Sequence, residues 1–154
     1  MRINGRLGYC TRIFFDSGKG DVSRINDCST MIQLLHLNSR GVYGKENALE
    51  SFLEGWKNIQ FVGLSEHWLC EIEAPLFCLK GWKVAHYYCR RDMARGGVMT
   101  LCRSGANFMC VGGLNNLSVD LHCEISAVKN VDLNLFIITI YRSPNGEFKV
   151  FLYI

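Results

Sequence analysis

The sequence lacks the cysteine pairs that small metal-stabilised domains use. Its eight cysteines include no Cys-x-x-Cys pair, and the closest neighbours, such as Cys70 and Cys78, are eight positions apart. Structural zinc sites take two ligands from one tight turn, so a zinc-stabilised domain is not expected. With only 2 prolines, 49% hydrophobic residues and a net charge of +3, the composition also excludes a wholly disordered chain.

The sequence also lacks an apolar run long enough to cross a membrane. Its longest, Leu133 to Tyr141, has nine residues. A membrane helix needs ~20. The first fifteen residues carry three arginines without a continuous apolar segment, so no secretory signal is expected. We therefore expect an intracellular protein, nuclear or cytoplasmic, without a membrane partner. Residues 1–30 show no sustained periodicity and are interpreted as a weakly ordered leader.

Positive charge is concentrated in residues 80–103, which contain six basic side chains and one acidic one, interleaved with aromatic residues. Cations beside aromatic rings suit a nucleic-acid backbone with bases or sugars alongside. A solvated hairpin without a partner explains the same pattern equally well. If the segment faces DNA, we expect phosphate contacts from Arg90, Arg91 and Arg95. We call the six cations the basic block: Lys80, Lys83, Arg90, Arg91, Arg95 and Arg103.

The first half of the remaining chain has a strand, helix, strand pattern. Met31 to Leu37 is a mostly apolar run, and Ile59 to Ser65 is typical of a buried strand. Between them, apolar residues from Ala48 to Trp56 recur at helical spacing, with Asn47 as the expected cap. This order predicts a parallel strand pair with a helical crossover.

The second half predicts short strands separated by turns, which makes the fold class α/β. Strands are expected over Trp82–Tyr88, Val98–Cys102 and Phe108–Val111. Alternation from Leu117 to Ala127 predicts a half-buried strand. Leu133 to Tyr141 is apolar on both faces, which favours the centre of a sheet. A helix starting near Phe148, close to the last residue, suggests the front part of a longer fold.

Polar side chains follow three of these strands. Asn38 ends the first, Glu66 follows the second, and Tyr141 and Arg142 end the last. In mixed α/β folds, ligands gather where the carboxyl ends of strands deliver loops. Amide and carboxylate oxygens there suit Mg²⁺, and a hydroxyl with a guanidinium suits a phosphate. The alternative is that strands simply end in polar turn residues.

Four segments at these positions resemble a known family. They resemble the endonuclease domain of non-LTR retrotransposons, found in endonuclease–reverse transcriptase polyproteins and belonging to the endonuclease/exonuclease/phosphatase superfamily. The resemblance covers residues 31–154, which are interpreted as the amino-terminal part of such a domain. The segments are LNSRGVYGKENALESFL, IQFVGLSEHWL, RGGVMTL and FIITIYRSPNGEF.

The resemblance implies a four-layer α/β sandwich, incomplete at its C-terminus, that hydrolyses DNA phosphodiesters with Mg²⁺ as its only cofactor. By motif, Asn38 orients the phosphate or a metal-bound water, and Glu66 binds the metal. Tyr141 contacts the scissile phosphate, with Arg142 beside it. Asn38 and Glu66 are thus the expected metal site, and Asn38, Glu66 and Tyr141 the expected catalytic set.

The sequence departs from the family in one important respect. Family members continue into an Asp-x-Asn motif and a Ser-Asp-His motif, and neither follows Tyr141 here. The triplet Asp132-Leu133-Asn134 has the right spelling but precedes the expected position. The chain is therefore expected to be inactive as a nuclease. Two alternatives stay open: a non-catalytic remnant that binds nucleic acid or protein, and a sister phosphatase of the same superfamily.

Overall fold

The computed structural model describes residues 9–15, 30–91 and 95–154, and has mixed α/β architecture with two sheets. The larger sheet has five strands. In chain order they are β1 Tyr9–Phe15, β2 Thr30–Asn38, β3 Ile59–Ser65, β4 Trp82–Tyr88 and β5 Val98–Arg103. Their order across the sheet is β1-β2-β3-β5-β4, and only the β2–β3 pair is parallel among these neighbours.

The crossover between β2 and β3 confirms the predicted strand, helix, strand unit. Helix α1 spans Glu46–Glu54 and buries Leu49 and Leu53 against one face of the large sheet. Its cap is Lys45 rather than Asn47, and Lys45 Nζ donates to the carbonyls of residues 39 and 40. The helix ends at Glu54, two residues before Trp56, which is 36% exposed, so Trp56 does not belong to the buried face of the helix as predicted.

The smaller sheet has three strands, β6 Phe108–Cys110, β7 Glu124–Asn130 and β8 Leu135–Tyr141, in the order β6-β7-β8. The prediction that the last strand lies at a sheet centre is wrong, because β8 is an edge strand in the described part of the chain. Ile137 and Thr139 face inward and are buried, whereas Phe136, Ile138 and Ile140 are about half exposed.

Strand β7 begins seven residues later than the alternating pattern predicted. A short helix, α2, spans Gly112–Asn115. Val119 and Cys123 then exchange backbone hydrogen bonds of 2.7 and 2.9 Å across a tight turn, with Leu121 at φ +68°. The alternating segment from Leu117 to Cys123 therefore forms a turn closed by the Val119–Cys123 bridge rather than an extended strand.

The two sheets pack face to face. Phe61 and Cys102 of the large sheet meet Val128 and Ile137 of the small sheet in one buried cluster. Next to it lies a polar seam of three buried hydroxyls. Thr100 Oγ1 is 2.8 Å from Ser126 Oγ and 3.0 Å from Thr139 Oγ1. Buried hydroxyls that satisfy one another in this way fix the relative position of the sheets.

Part of the first thirty residues belongs to the large sheet. Strand β1 lies within residues 1–30, which were interpreted as a weakly ordered leader; it pairs with β2 along seven residues. Residues 1–8 and 16–29 lie outside the described part.

At the other end of the chain, α3 spans Phe148–Leu152. Within the described residues, no helix is long and apolar enough to cross a membrane.

Gly63 provides a test of the sheet-to-sheet packing. A Cβ at this position would lie 2.6 Å from Oγ1 and 2.9 Å from Cγ2 of Thr139. Gly63→Ala should therefore lower the free energy of unfolding by ~1–3 kcal/mol through overpacking. The cost should shrink in a Thr139→Ala background, because the colliding atoms are removed. Urea denaturation of the four proteins measures this coupling.

Gly55→Ala is the matched control. Gly55 is exposed at φ −67°, and its Cβ would meet only a carbonyl oxygen at 3.4 Å. The control should change stability little or raise it slightly. Equal losses for Gly63→Ala with and without Thr139 would show that the sheets do not pack as described.

Candidate functional site

Three side chains from distant parts of the sequence meet at one end of the sheets. Asn38 Nδ2 donates to Glu66 Oε1 at 2.8 Å, and the Tyr141 hydroxyl donates to the same oxygen at 2.7 Å. Asn38 and Glu66 arrive together because β2 and β3 are parallel, so their carboxyl ends lie at the same edge. Tyr141 reaches them from the other sheet, at the end of β8.

The hydrogen bonds leave the two carboxylate oxygens of Glu66 with different environments. Oε1 accepts from both Asn38 and Tyr141, whereas no hydrogen bond from the described residues reaches Oε2. Burial and the bond to Glu66 raise the pKa of Tyr141, so its phenol stays a proton donor. The carboxylate is thus held in one orientation, with one oxygen free of hydrogen bonds from the described residues.

The backbone that carries Glu66 is strained. Glu66 and Trp68 adopt φ of +56° and +62°, a left-handed conformation that costs a non-glycine residue roughly 1–2 kcal/mol. Hydrogen bonds from both sides hold it. The Gly41 amide donates to the Glu66 carbonyl at 2.7 Å, and the Glu66 and Trp68 amides donate to the carbonyls of Gly97 and Gly96 at 2.8 and 3.0 Å.

His67 lies inside this segment and is fully buried. Its Nδ1 accepts the Leu69 amide hydrogen at 3.0 Å, so the ring proton lies on Nε2, which donates to the Tyr88 carbonyl at 3.0 Å. Burial lowers the pKa of His67, partly offset by the backbone bonds. Both nitrogens are occupied by backbone partners, so His67 flanks the site as a structural residue.

Arg90 was expected at a DNA-facing surface, and this prediction is wrong. Its side chain is only 6% exposed and pairs with Glu124, which is fully buried, through Nε at 2.5 Å and through a second guanidinium nitrogen. The other Glu124 oxygen accepts the Gly97 amide hydrogen at 2.6 Å. Burial raises the pKa of Glu124, while Arg90 and Gly97 oppose that shift. Arg90 turns inward because this carboxylate requires a cation.

The remaining cations of the basic block divide between the two ends of the large sheet. Arg91 and Arg95 are exposed at the end that carries Glu66, and the Arg95 guanidinium lies 5.3 Å from the ring centroid of Trp68. Lys80, Lys83 and Arg103 lie at the other end, because Trp82 pairs with Arg103 where β4 begins and β5 ends. The block is therefore not one continuous surface.

Arg142 does not join the three meeting side chains. Its guanidinium donates to the carbonyls of Ser143 and Gly146 at 3.4 and 3.2 Å and lies 5.7 Å from the ring centroid of Phe148. Arg142 is the first residue after β8, and these contacts hold its guanidinium at the following loop rather than at Glu66. Its expected role beside the phosphate stays a prediction without support from this arrangement.

Among the three meeting side chains, the Glu66 carboxylate is the one whose oxygens suit Mg²⁺. Within the described residues, no group of three or more His, Cys, Asp or Glu side chains lies close enough to share a metal ion. Mg²⁺ nevertheless keeps several waters and is commonly held by one or two carboxylates together with phosphate oxygens. A half-buried carboxylate with one open oxygen meets that requirement, while Asn38 orients it through its amide nitrogen rather than offering its oxygen.

Glu124 is the residue near the site that the sequence did not identify. It alternates with apolar neighbours from Cys123 to Ala127, as a solvent-facing residue of a half-buried strand does, yet its exposure is 0%. The sequence contains no signal for this, since the cation that compensates Glu124 lies 34 positions away. Comparison with known proteins adds no assignment, because the sequence matches no protein-family model and no curated protein.

Acid should destabilise the protein through His67. Its folded pKa is below the ordinary 6.5, so as the pH falls through about 6.5 the unfolded state takes up a proton that the folded state does not. The free energy of unfolding should therefore fall between about pH 7.5 and 5.5. His67→Gln should show a smaller fall, although His36 and His86, whose pKa values burial also lowers, keep part of it.

Urea denaturation at the two pH values measures this dependence. An identical fall in the unsubstituted protein and in His67→Gln would mean that His67 accepts a proton in the folded state. That result would contradict the tautomer assigned from its two backbone partners.

Proposed function

We propose that this chain carries the Glu66 part of a Mg²⁺-dependent DNA endonuclease site of the endonuclease/exonuclease/phosphatase type, similar to that of non-LTR retrotransposons. The observation that supports this proposal best is the convergence of Asn38 and Tyr141 on one oxygen of Glu66. The alternative, that strands simply end in polar turn residues, does not explain why Tyr141 donates to a carboxylate 75 positions away. The four-layer α/β sandwich is part of the same proposal.

The packing of the helices supports the four-layer arrangement. Helix α1 covers the face of the large sheet that points away from the small one, through Leu49 and Leu53. On the outer face of β7, Leu114 of α2 and Phe151 of α3 pack against a buried cluster around Ile125. A helix thus contacts the outer face of the large sheet and two short helices contact part of the outer face of the small one, as a four-layer arrangement requires.

The chemistry follows from the state of each side chain. When bound, Mg²⁺ would offset negative charge on the phosphoryl oxygens of DNA. Glu66 would hold the cation through its open oxygen, and Asn38 would keep the carboxylate from rotating. The protonated Tyr141 hydroxyl would place a hydrogen-bond donor at the edge of the phosphate position. Residues 142–154 contain no Asp-x-Asn or Ser-Asp-His motif, so the side chains named here are assigned metal and phosphate binding and no water-activating role.

Arg91 and Arg95 make DNA the favoured anion. Both are exposed at the Glu66 end of the large sheet. Exposed cations there would raise the local concentration of a polyanion and contact its phosphates. The same two residues favour the second candidate, a non-catalytic nucleic-acid-binding protein. Dependence of cation binding on Glu66 separates the two candidates.

Substitution of Glu66 tests the metal proposal. Mn²⁺ shares the oxygen preference of Mg²⁺ and is paramagnetic, so it broadens the NMR signals of nearby amides. We expect broadening centred on Glu66, and at least a roughly tenfold loss of Mn²⁺ affinity in Glu66→Gln, corresponding to about 1.4 kcal/mol. Tyr141→Phe should weaken binding less, because it removes an orienting bond and leaves the ligand oxygens.

Glu54→Gln is the matched control for that titration. Glu54 is an exposed carboxylate at the end of α1, and the same change of charge there should leave Mn²⁺ broadening at Glu66 unaltered. Broadening that persists in Glu66→Gln at the same Mn²⁺ concentrations would refute the metal site.

The division of the basic block predicts which cations bind DNA. Each phosphate contact contributes roughly −0.9 to the slope of log affinity against log salt. Arg91→Ala with Arg95→Ala should therefore flatten that slope by up to about 2 for a short duplex without Mg²⁺. Lys80→Ala with Lys83→Ala removes the same charge at the opposite end and should leave the slope nearly unchanged.

Fluorescence anisotropy at several salt concentrations gives both slopes. Equal flattening in the two double variants would mean that DNA responds only to net charge. That outcome would remove the proposed DNA surface near Glu66.

A further inference from the structure

A buried ion pair lies directly behind the glycine turn that contacts the Glu66 segment. Glu124 is fully buried and bridges two partners, the Arg90 guanidinium with one oxygen and the Gly97 amide with the other. These contacts join three elements: β7, the segment after β4, and the turn before β5. The Gly97 amide is thereby fixed to the small sheet, although the turn belongs to the large one.

The same turn holds the strained Glu66 segment on its other side. The Gly97 carbonyl accepts the Glu66 amide hydrogen at 2.8 Å, and the Gly96 carbonyl accepts that of Trp68 at 3.0 Å. These are the two residues of the segment with left-handed φ values. Any shift of the turn therefore moves the backbone that aims the Glu66 carboxylate.

The turn also has no space for a side chain at Gly96 or Gly97. Gly96 and Gly97 have φ of +107° and +82°. A Cβ at Gly96 would lie 2.2 Å from the Arg90 guanidinium carbon, and one at Gly97 would lie 2.4 Å from His67 Nε2. The ion pair contacts one side of the turn and His67 contacts the other. Together they restrict the turn to one backbone position.

We propose that Arg90 and Glu124 are positioning residues for Glu66, acting through the Gly96–Gly97 turn. Arg90 holds the Glu124 carboxylate, which holds the Gly97 amide, and the turn holds the amides of Glu66 and Trp68. The consequence for metal binding rests on the function proposed above. The consequence for the geometry of the Glu66 segment does not.

If the Arg90–Glu124 pair served stability alone, an apolar pair of similar volume would serve as well. Replacing a buried ion pair with well-packed apolar residues is often neutral or stabilising, so a pair kept only for stability has little advantage over a hydrophobic contact. An apolar pair, however, offers no acceptor for the Gly97 amide. The specific property of the carboxylate here is that its second oxygen accepts a backbone hydrogen bond.

That difference defines the deciding variant, Arg90→Met with Glu124→Leu in the full 154-residue chain. It removes both charges together, keeps side-chain volume in place and leaves no uncompensated ion, so the protein should fold. Backbone amide hydrogen exchange followed by NMR reports each hydrogen bond separately. We expect the amides of Glu66 and Trp68 to exchange at least tenfold faster, with the amides of β3 much less affected.

Two further variants frame that result. Glu124→Ala removes the acceptor and should give the same selective acceleration, together with a loss of stability because Arg90 is left unpaired. Ser126→Ala is the matched control, because Ser126 is equally buried in β7 and also contacts the large sheet, through Thr100, but does not touch the turn. It should alter exchange throughout the sheets without singling out Glu66 and Trp68.

Mn²⁺ titration then connects the geometry to the site. A tenfold weaker Mn²⁺ affinity in the Arg90→Met, Glu124→Leu variant, with selective amide exchange, supports the positioning role. Unchanged exchange at Glu66 and Trp68 relative to Ser126→Ala overturns it. If the unsubstituted chain binds no Mn²⁺ but the selective exchange is seen, the metal proposal fails and the positioning of the Glu66 segment stands.

Discussion

The docking of the small sheet against the large one is the constraint on which the site depends. Tyr141 and Glu124 belong to the small sheet, whereas Asn38, Glu66 and Arg90 belong to the large sheet or the segments that follow its strands. Every polar contact at the site that involves Tyr141 or Glu124 therefore crosses between sheets. Apolar burial at Phe61 and Ile137 supplies a nondirectional attraction, so directional contacts must set the register.

The polar residues between the sheets provide that direction. The hydroxyls of Thr100, Ser126 and Thr139 satisfy one another, and Arg90 compensates the charge of Glu124. An unpaired polar group at these depths costs free energy, so alternative sheet positions that separate the partners are disfavoured. The same contacts that align the sheets thus bring Tyr141 to Glu66 and anchor the glycine turn beside it.

Local sequence patterns predicted where strands and helices begin and end better than they predicted which elements pack beside them. The bounds of β3 and β4 and the parallel β2–β3 crossover followed from apolar runs and helical spacing, because these patterns depend on nearby residues. The position of β8 did not follow. Its apolar residues fit a sheet centre, but Phe136, Ile138 and Ile140 lie on the exposed face of an edge strand in the described part of the chain. A strand's composition does not specify which neighbours it receives.

The candidate site shows the same division. The sequence by itself determined that Asn38, Glu66 and Tyr141 lie where strands end, since polar residues after apolar runs mark those points. Only the tertiary structure decided that all three meet on one carboxylate, that Arg90 turns inward and that Glu124 is buried. The physical reason is that the burial of a charge depends on a partner that can lie 34 positions away, and no local periodicity encodes that distance.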